Sequence, residues 1–289
     1  SARGIVRCSL LIVHCSLFTE MPQFWYDGRL VDGKTIALYL DDPGLMYGAT
    51  AFTTLRVYGS LADPRTNWRR HCDRLRSAIE TFEWPQPDWE RLQAGAERMA
   101  AEYPTLRVAL FPDGREWILG RSLPADLDSM QTEGVVAWVA DAPHLARSLP
   151  TFKTGNYLGA WLALQGAKRV GAKEAILIDG SGNWLETATG NLWGYKNGCW
   201  WTPPVGQGIL PGLMREQILS VLMRHREKVA QVVWTSEFAR DLEAIAYSNS
   251  VMELIPVRSI RDGDRVLNFD PHHSSLPRLR SQLQERERS

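Results

Sequence analysis

Apolar and polar residues alternate in short runs over residues 22–62, broken by the turn signals "YDGR", "VDGK" and "YGS". That pattern predicts short strands joined by tight turns. The period then changes. In "NWRRHCDRLRSAIETF" (67–82), Leu75, Ile79 and Phe82 recur at helical spacing with charges between them. "PDWERLQAGAERMAAEYP" (87–104) predicts a second helix, capped by Asp88 and stopped by Pro104. "TLRVALF" and "REWILGRS" predict a hairpin across "PDG", and "GVVAWVAD" a further strand.

Residues 142–152 lack periodicity and carry two prolines, as an interdomain linker would. Beyond them the pattern predicts a helix at 156–170, a strand at "EAILID" and two or three short strands in "WLETATGNLWGYKNGCWWTPP". The helix "PGLMREQILSVLMRHR" is expected to carry Pro211 in its first turn. Strand "VAQVVWT", short helix "SEFARDLE" and strand "EAIAYSN" follow. The fold class is therefore α+β, with mixed sheets in two unequal parts. The expected division is a smaller domain at 21–141, the linker at 142–152, a larger domain at 153–270 and a polar tail at 271–289 that frays. Residues 1–20 read as an upstream extension outside the fold, with Met21 as the natural start.

Composition removes several functions. Lys+Arg and Asp+Glu both number 33, so no net field draws the chain to nucleic acid or an anionic membrane. No run reaches the roughly 18–20 apolar residues of a membrane span. Cys8, Cys15, Cys72 and Cys199 show no CxxC pairing and no zinc-like spacing with histidine. They read as reduced thiols of a cytoplasmic protein.

The lysines number six in all, and one of them, Lys153 in "LPTFKTGNYLGAW", sits between an extended segment and a helix start. By itself it is a surface charge or an amine nucleophile. "VGQGILPGLMREQ" (205–217) is either a plain junction or a helix N-terminus that binds phosphate. Asn249 and Ser250 after a strand either hold phosphate oxygens or close a turn. Arg74 is a solvated charge or a phosphate fork. Glu186 in "NWLETATGN" is a strand-edge carboxylate or one buried against a positive partner. Taken as a set, one amine, one carboxylate and several phosphate donors fit pyridoxal 5'-phosphate. That cofactor needs an amine for its aldehyde, an anion for its pyridine nitrogen and an anchor for its phosphate.

The motifs "YGATAFTTLRVYG", "HCDRLRSA", "FKTGNYL", "WLETATGNLWGY", "GILPGLMRE" and "NSVMELIPV" occur in this order over about residues 22–260. They resemble those of the fold-type IV pyridoxal-phosphate enzymes, the class IV aminotransferase family, which has a two-domain architecture like that of D-amino acid aminotransferase. The resemblance implies that Lys153 binds the cofactor covalently and that Glu186 faces its ring nitrogen. It implies phosphate ligands at Arg74, Leu213, Met214, Asn249 and Ser250, and a hydrogen bond from Tyr157 to the phenolic oxygen. Thr53 or Thr54 is the implied proton donor to a leaving group, and Arg107 a ligand for a substrate carboxylate. "FTTLR" (52–56), Met214, Asn249-Ser250 and the short Lys153–Tyr157 spacing are similar to the 4-amino-4-deoxychorismate lyase branch. That branch releases pyruvate and 4-aminobenzoate on the way to folate. The alternative is an aminotransferase for branched-chain or D-amino acids. Either way the resemblance implies a homodimer acting on a small molecule, with no metal.

Overall fold

The computed structural model describes residues 22–285, so the expectations for residues 1–20 and for Met21 lie outside the described residues. Strands β1 (Gln23–Tyr26) and β2 (Arg29–Asp32) form the first hairpin. Asp27 and Gly28 between them both take left-handed φ, 46° and 79°, as a two-residue turn requires. A short helix α1 (Pro43–Tyr47) precedes β3 (Ala51–Arg56), followed by helices α2 (Trp68–Thr81) and α3 (Trp89–Ala100). Asp88 caps α3 as expected, its carboxylate accepting from Arg91 N at 2.9 Å. The helix ends at Ala100, short of Pro104. Strands β4 (Thr105–Leu110) and β5 (Glu116–Arg121) complete a five-stranded sheet in the order β2-β1-β5-β4-β3. One face of this sheet, with Leu55, Leu106 and Ile118, packs on Leu75 and Ile79 of α2 and on Leu92 and Met99 of α3. The other face is left for the site.

The second unit starts earlier than the sequence pattern suggests. Helix α4 (Leu127–Glu133) leads into β6 (Val135–Ala140), which belongs to the larger sheet. The chain thus changes sheets between Arg121 and Val135, not in the expected linker at 142–152, because β6 finds parallel partners on both sides that local periodicity does not reveal. After it come α5 (Leu158–Arg169), β7 (Glu174–Ile178), β8 (Trp184–Thr187), β9 (Asn191–Lys196) and β10 (Cys199–Thr202). Helix α6 (Leu213–Arg224), β11 (Lys228–Gln231), α7 (Ser236–Arg240), β12 (Ala244–Asn249), β13 (Glu253–Asp262), β14 (Arg265–Asn268) and α8 (Ser275–Glu285) complete the described chain. The sheet runs β11-β10-β9-β12-β13-β6-β7-β8, with β14 beside β13, and mixes parallel with antiparallel pairs. Strands β7, β8, β9 and β12 are buried on both faces along most of their length, so they do not show the alternation of a half-exposed strand.

Two further expectations change. Gly212, not Pro211, caps α6, so the proline lies before the first turn. Residues 275–285 are a packed helix and not a frayed tail. Leu276 and Leu279 are buried against Ile218, Val221 and Leu222 of α6, which is worth about 1.5–3 kcal/mol for each leucine.

Candidate active site

Lys153 is placed by strand-like pairing with the small sheet. Phe52 N donates to Lys153 O at 2.8 Å and Gly155 N donates to Thr50 O at 2.8 Å. Gly155 is required there, because a Cβ would stand 2.3 Å from Thr50 Oγ1 and 2.6 Å from Gly48 O. This clamp aims the lysine side chain into a cavity of about 220 Å³ between the two sheets, a space suited to a small metabolite. Its Nζ stands 4.8 Å from the centroid of the Phe52 ring and 5.2 Å from that of Tyr157. Burial, then the guanidiniums of Arg147 and Arg74, hold the ammonium well below the usual lysine range. This favours the neutral, nucleophilic form of the amine.

Glu186 reaches the same cavity from β8 and is 3% exposed. Its Oε2 accepts from Leu210 N at 3.2 Å and from Asn191 Nδ2 at 3.3 Å. Its Oε1 has no hydrogen-bond partner, although Arg147 Nε lies 3.6 Å away. Burial pushes this carboxyl up to about 7, against the pull of Arg147. Gly212 leaves room for Asn191, since a Cβ at 212 would stand 2.0 Å from Asn191 Oδ1.

The end of the cavity expected to hold a phosphate joins both units. Arg74 comes from α2, and its Nη2 donates to Pro211 O at 2.5 Å, which brings it to the start of α6. Leu213 and Met214 open that helix, where backbone N–H groups have no partner within the helix. Ser250 lines the cavity from the turn after β12. Asn249 lines it too, but its Oδ1 accepts from Val251 N and Met252 N at 3.0 and 2.8 Å, so that oxygen closes the turn.

Opposite lies Arg107 on β4, its guanidinium 3.6 Å from the centroid of the Phe52 ring and its Nε buried without a partner. Burial lowers it to about 10, still fully charged at neutral pH. Thr54 pairs with Arg107 across β3 and β4 and faces the cavity. Thr53 does not. Alternation along β3 sends it to the other face, where its Oγ1 lies 2.5 Å from His71 Nδ1. Of the two threonines expected as proton donors, Thr53 is thereby removed. Tyr157 forms a wall of the cavity. Its hydroxyl donates to Ala188 O at 3.2 Å and accepts from Arg147 Nη1 at 3.0 Å, so its one proton is directed at the backbone.

Sequence reasoning missed Arg147. It comes from the aperiodic stretch before Lys153, where nothing local marks it, yet it meets Glu186, Tyr157 and Phe152 O at once. Asn191 was also missed, and its place directly after the "TATG" turn was the available signal. With Arg147 included, three guanidiniums (Arg74, Arg107, Arg147), the Lys153 amine and one acid, Glu186, line the cavity. Such a site selects anionic ligands.

A sheet-lined cleft with one buried lysine, a half-satisfied buried carboxylate and a helix N-terminus has the groups that pyridoxal phosphate needs. Residues 50–260 match the family described as amino-transferase class IV, and the chain belongs to that family. Pyridoxal phosphate is the family's cofactor, and the residues present fit it. The unpaired Oε1 of Glu186 suits a protonated ring nitrogen, and the end formed by Arg74, Leu213, Met214 and Ser250 suits a phosphate. The chain is 27% identical over 273 residues to the branched-chain-amino-acid aminotransferase of Salmonella typhimurium, covering 84% of this chain and 85% of that protein. It is 22% identical over 262 residues to the aminodeoxychorismate lyase of Vibrio harveyi, covering 85% and 94%. Among solved structures, the Escherichia coli branched-chain amino acid aminotransferase superposes with a TM-score of 0.76 at 22% identity, covering 90% of this chain and 93% of that one. The PLP-bound form of a hypothetical aminotransferase from Mycobacterium tuberculosis also gives 0.76, at 20% identity and covering 90% and 98%.

Proposed function

We propose that this protein acts on the amine of a carboxylate-bearing substrate and that the reaction is transamination between an amino acid and a 2-oxo acid. The observation that carries the amine chemistry is the buried pair of Lys153 and Glu186 in one cationic cavity. The choice of transamination rests on the greater similarity to branched-chain aminotransferases than to the lyase.

In this reading Lys153 attaches the cofactor and, once displaced, carries the proton at the amine-bearing carbon. Glu186 ionises against the ring nitrogen, with Arg147 beside it as the compensating charge. Bound pyridoxal phosphate supplies the electron sink for that proton's removal. Arg107 holds a substrate carboxylate, and the edge-to-face pair of Phe52 and Tyr157, 5.7 Å between centroids, walls the reacting groups from water.

The lyase expected from the sequence remains the second reading, on one observation. Thr54 presents a hydroxyl to the cavity beside Arg107, where it can protonate a leaving group held by its carboxylate. The test mixes holoenzyme with leucine, D-alanine or glutamate and a 2-oxo acid, and separately with aminodeoxychorismate and no acceptor. Amine transfer supports the first reading. Release of 4-aminobenzoate and pyruvate without transfer replaces it by the second, and neither product sinks both.

The proposal includes a homodimer. Met46, Tyr47 and Leu158 surround one surface hollow and are 57%, 73% and 65% exposed, with Trp161 exposed on the same helix as Leu158. Apolar surface of that extent is suited to a second copy. A cytoplasmic location is likewise proposed, from the free thiols Cys72 and Cys199. Among the described residues no helix is long and apolar enough to cross a membrane.

A further inference from the structure

The phosphate end of the site is divided between two sheets. Arg74 rides on α2 of the smaller unit, whereas Leu213, Met214 and Ser250 belong to the larger. Something must fix the two halves in register to within a hydrogen bond's tolerance. A compact set of contacts does this where the end of β3 meets the turn between β12 and β13. Arg56 N donates to Ser250 O at 3.1 Å. Two residues on, the Tyr58 hydroxyl donates to the Glu253 carboxylate, and Arg56 Nη1 lies 3.7 Å from the same oxygen. The Tyr58 ring is itself held between the Arg56 and Arg65 guanidiniums, 4.9 and 4.7 Å from its centroid. From the other side Gln131 Nε2 donates to Met252 O at 2.9 Å.

The backbone shows that this carboxylate is retained at a cost. Glu253 has φ 62°, at the end of the three-residue loop Ser250–Val251–Met252. That left-handed conformation favours glycine and is costly for a residue with a side chain. A side chain kept where its absence would relax the backbone is expected to act through what it touches. Glu253 touches the smaller unit.

We propose that Glu253, with Tyr58 as its partner, is a positioning residue for the cofactor phosphate. It ties the turn that carries Ser250 to the unit that carries Arg74, so the two halves of the phosphate grip close on the same oxygens. The proposal rests on the pyridoxal-phosphate assignment but concerns residues that do not line the cavity.

The test compares equilibrium binding of pyridoxal 5'-phosphate with that of pyridoxal, which lacks the phosphate, for the wild type, Glu253→Gly, Tyr58→Phe and the double variant. Glu253→Gly removes the tie while easing the backbone, and Tyr58→Phe keeps the ring between its arginines. The expected result is a ratio of affinities lowered about tenfold in each variant, the scale of one hydrogen bond to a charged group, with pyridoxal binding unchanged. The double variant should lose no more than Glu253→Gly alone, because the hydrogen bond that Tyr58→Phe breaks is already gone without the carboxylate. An unchanged ratio in both single variants overturns the proposal, as does an equal loss for both ligands, which marks general structural damage. A wild type that binds neither ligand overturns the cofactor assignment along with it.

Discussion

Replacing Glu186 by glutamine should make the cofactor-free protein more stable above neutral pH while disabling the site. The wild-type carboxyl is raised from 4.5 to about 7, with burial as the largest cause and Arg147 opposing it. The folded state thus binds this proton more tightly than the unfolded chain does. Stability from the protonated group is full below pH 4.5 and is lost as pH rises through about 7. The total loss is about 3 kcal/mol, at roughly 1.4 kcal/mol for each tenfold change in proton affinity. Glutamine mimics the protonated acid at every pH, so Glu186→Gln should match the wild type near pH 4.5 and exceed it by about 3 kcal/mol at pH 8. Glu174, also raised to about 7 by burial, titrates in the same window and is unaffected by this change. The difference between the two curves therefore reports Glu186 together with the Lys153 amine coupled to it. Urea midpoints of the apoproteins between pH 4.5 and 8.5, converted with a common slope, measure it. Parallel curves would refute the reasoning, since Glu186 would then be no more costly to ionise in the fold than outside it. The same variant should lose turnover, because a neutral amide cannot balance a protonated ring nitrogen.

Three further outcomes follow from the geometry. Thr54→Val should lower turnover with little change in stability, whereas Thr53→Val should cost about 1–3 kcal/mol by stranding buried His71, with kinetics of the folded fraction unchanged; thermal melts and steady-state rates together check the pair. Gly212→Ala, at a φ of −68° that alanine tolerates, should push Asn191 off Glu186 and weaken cofactor binding without unfolding the chain, as a titration with pyridoxal phosphate would read. Leu158→Glu on the exposed apolar face should convert a dimer to a monomer in sedimentation, and an unchanged mass would remove that face as the interface.

Local pattern made much of this legible. Helices α2 and α3 and the β4–β5 hairpin follow from their own periodicity, since each buries one face on a neighbour close in sequence. The placement of β6 does not, because its partners β7 and β13 are set by long-range parallel pairing. Helix α8 is hidden by composition: its buried face amounts to Ser275, Leu276, Leu279 and Gln282 in a polar stretch. Lys153, Glu186 and Arg74 were found by the demands of one cofactor and come together in the cavity. Arg147 makes no pattern of its own, and only the fold brings it to Glu186. The choice between Thr53 and Thr54 needed the facing of β3, which alternation leaves ambiguous until the neighbouring helix is placed.

The packing of α8 on α6 also bears on when the protein becomes competent during synthesis. Helix α6 presents the N–H groups proposed to bind phosphate, yet its outer side is sealed by Leu276 and Leu279, which leave the ribosome well after α6 itself. Arg74 is exposed to the folding chain far earlier. A nascent chain would therefore hold one half of the grip ready while the other waits for α8 to dock, so capture of the cofactor comes at the close of folding and not as its seed.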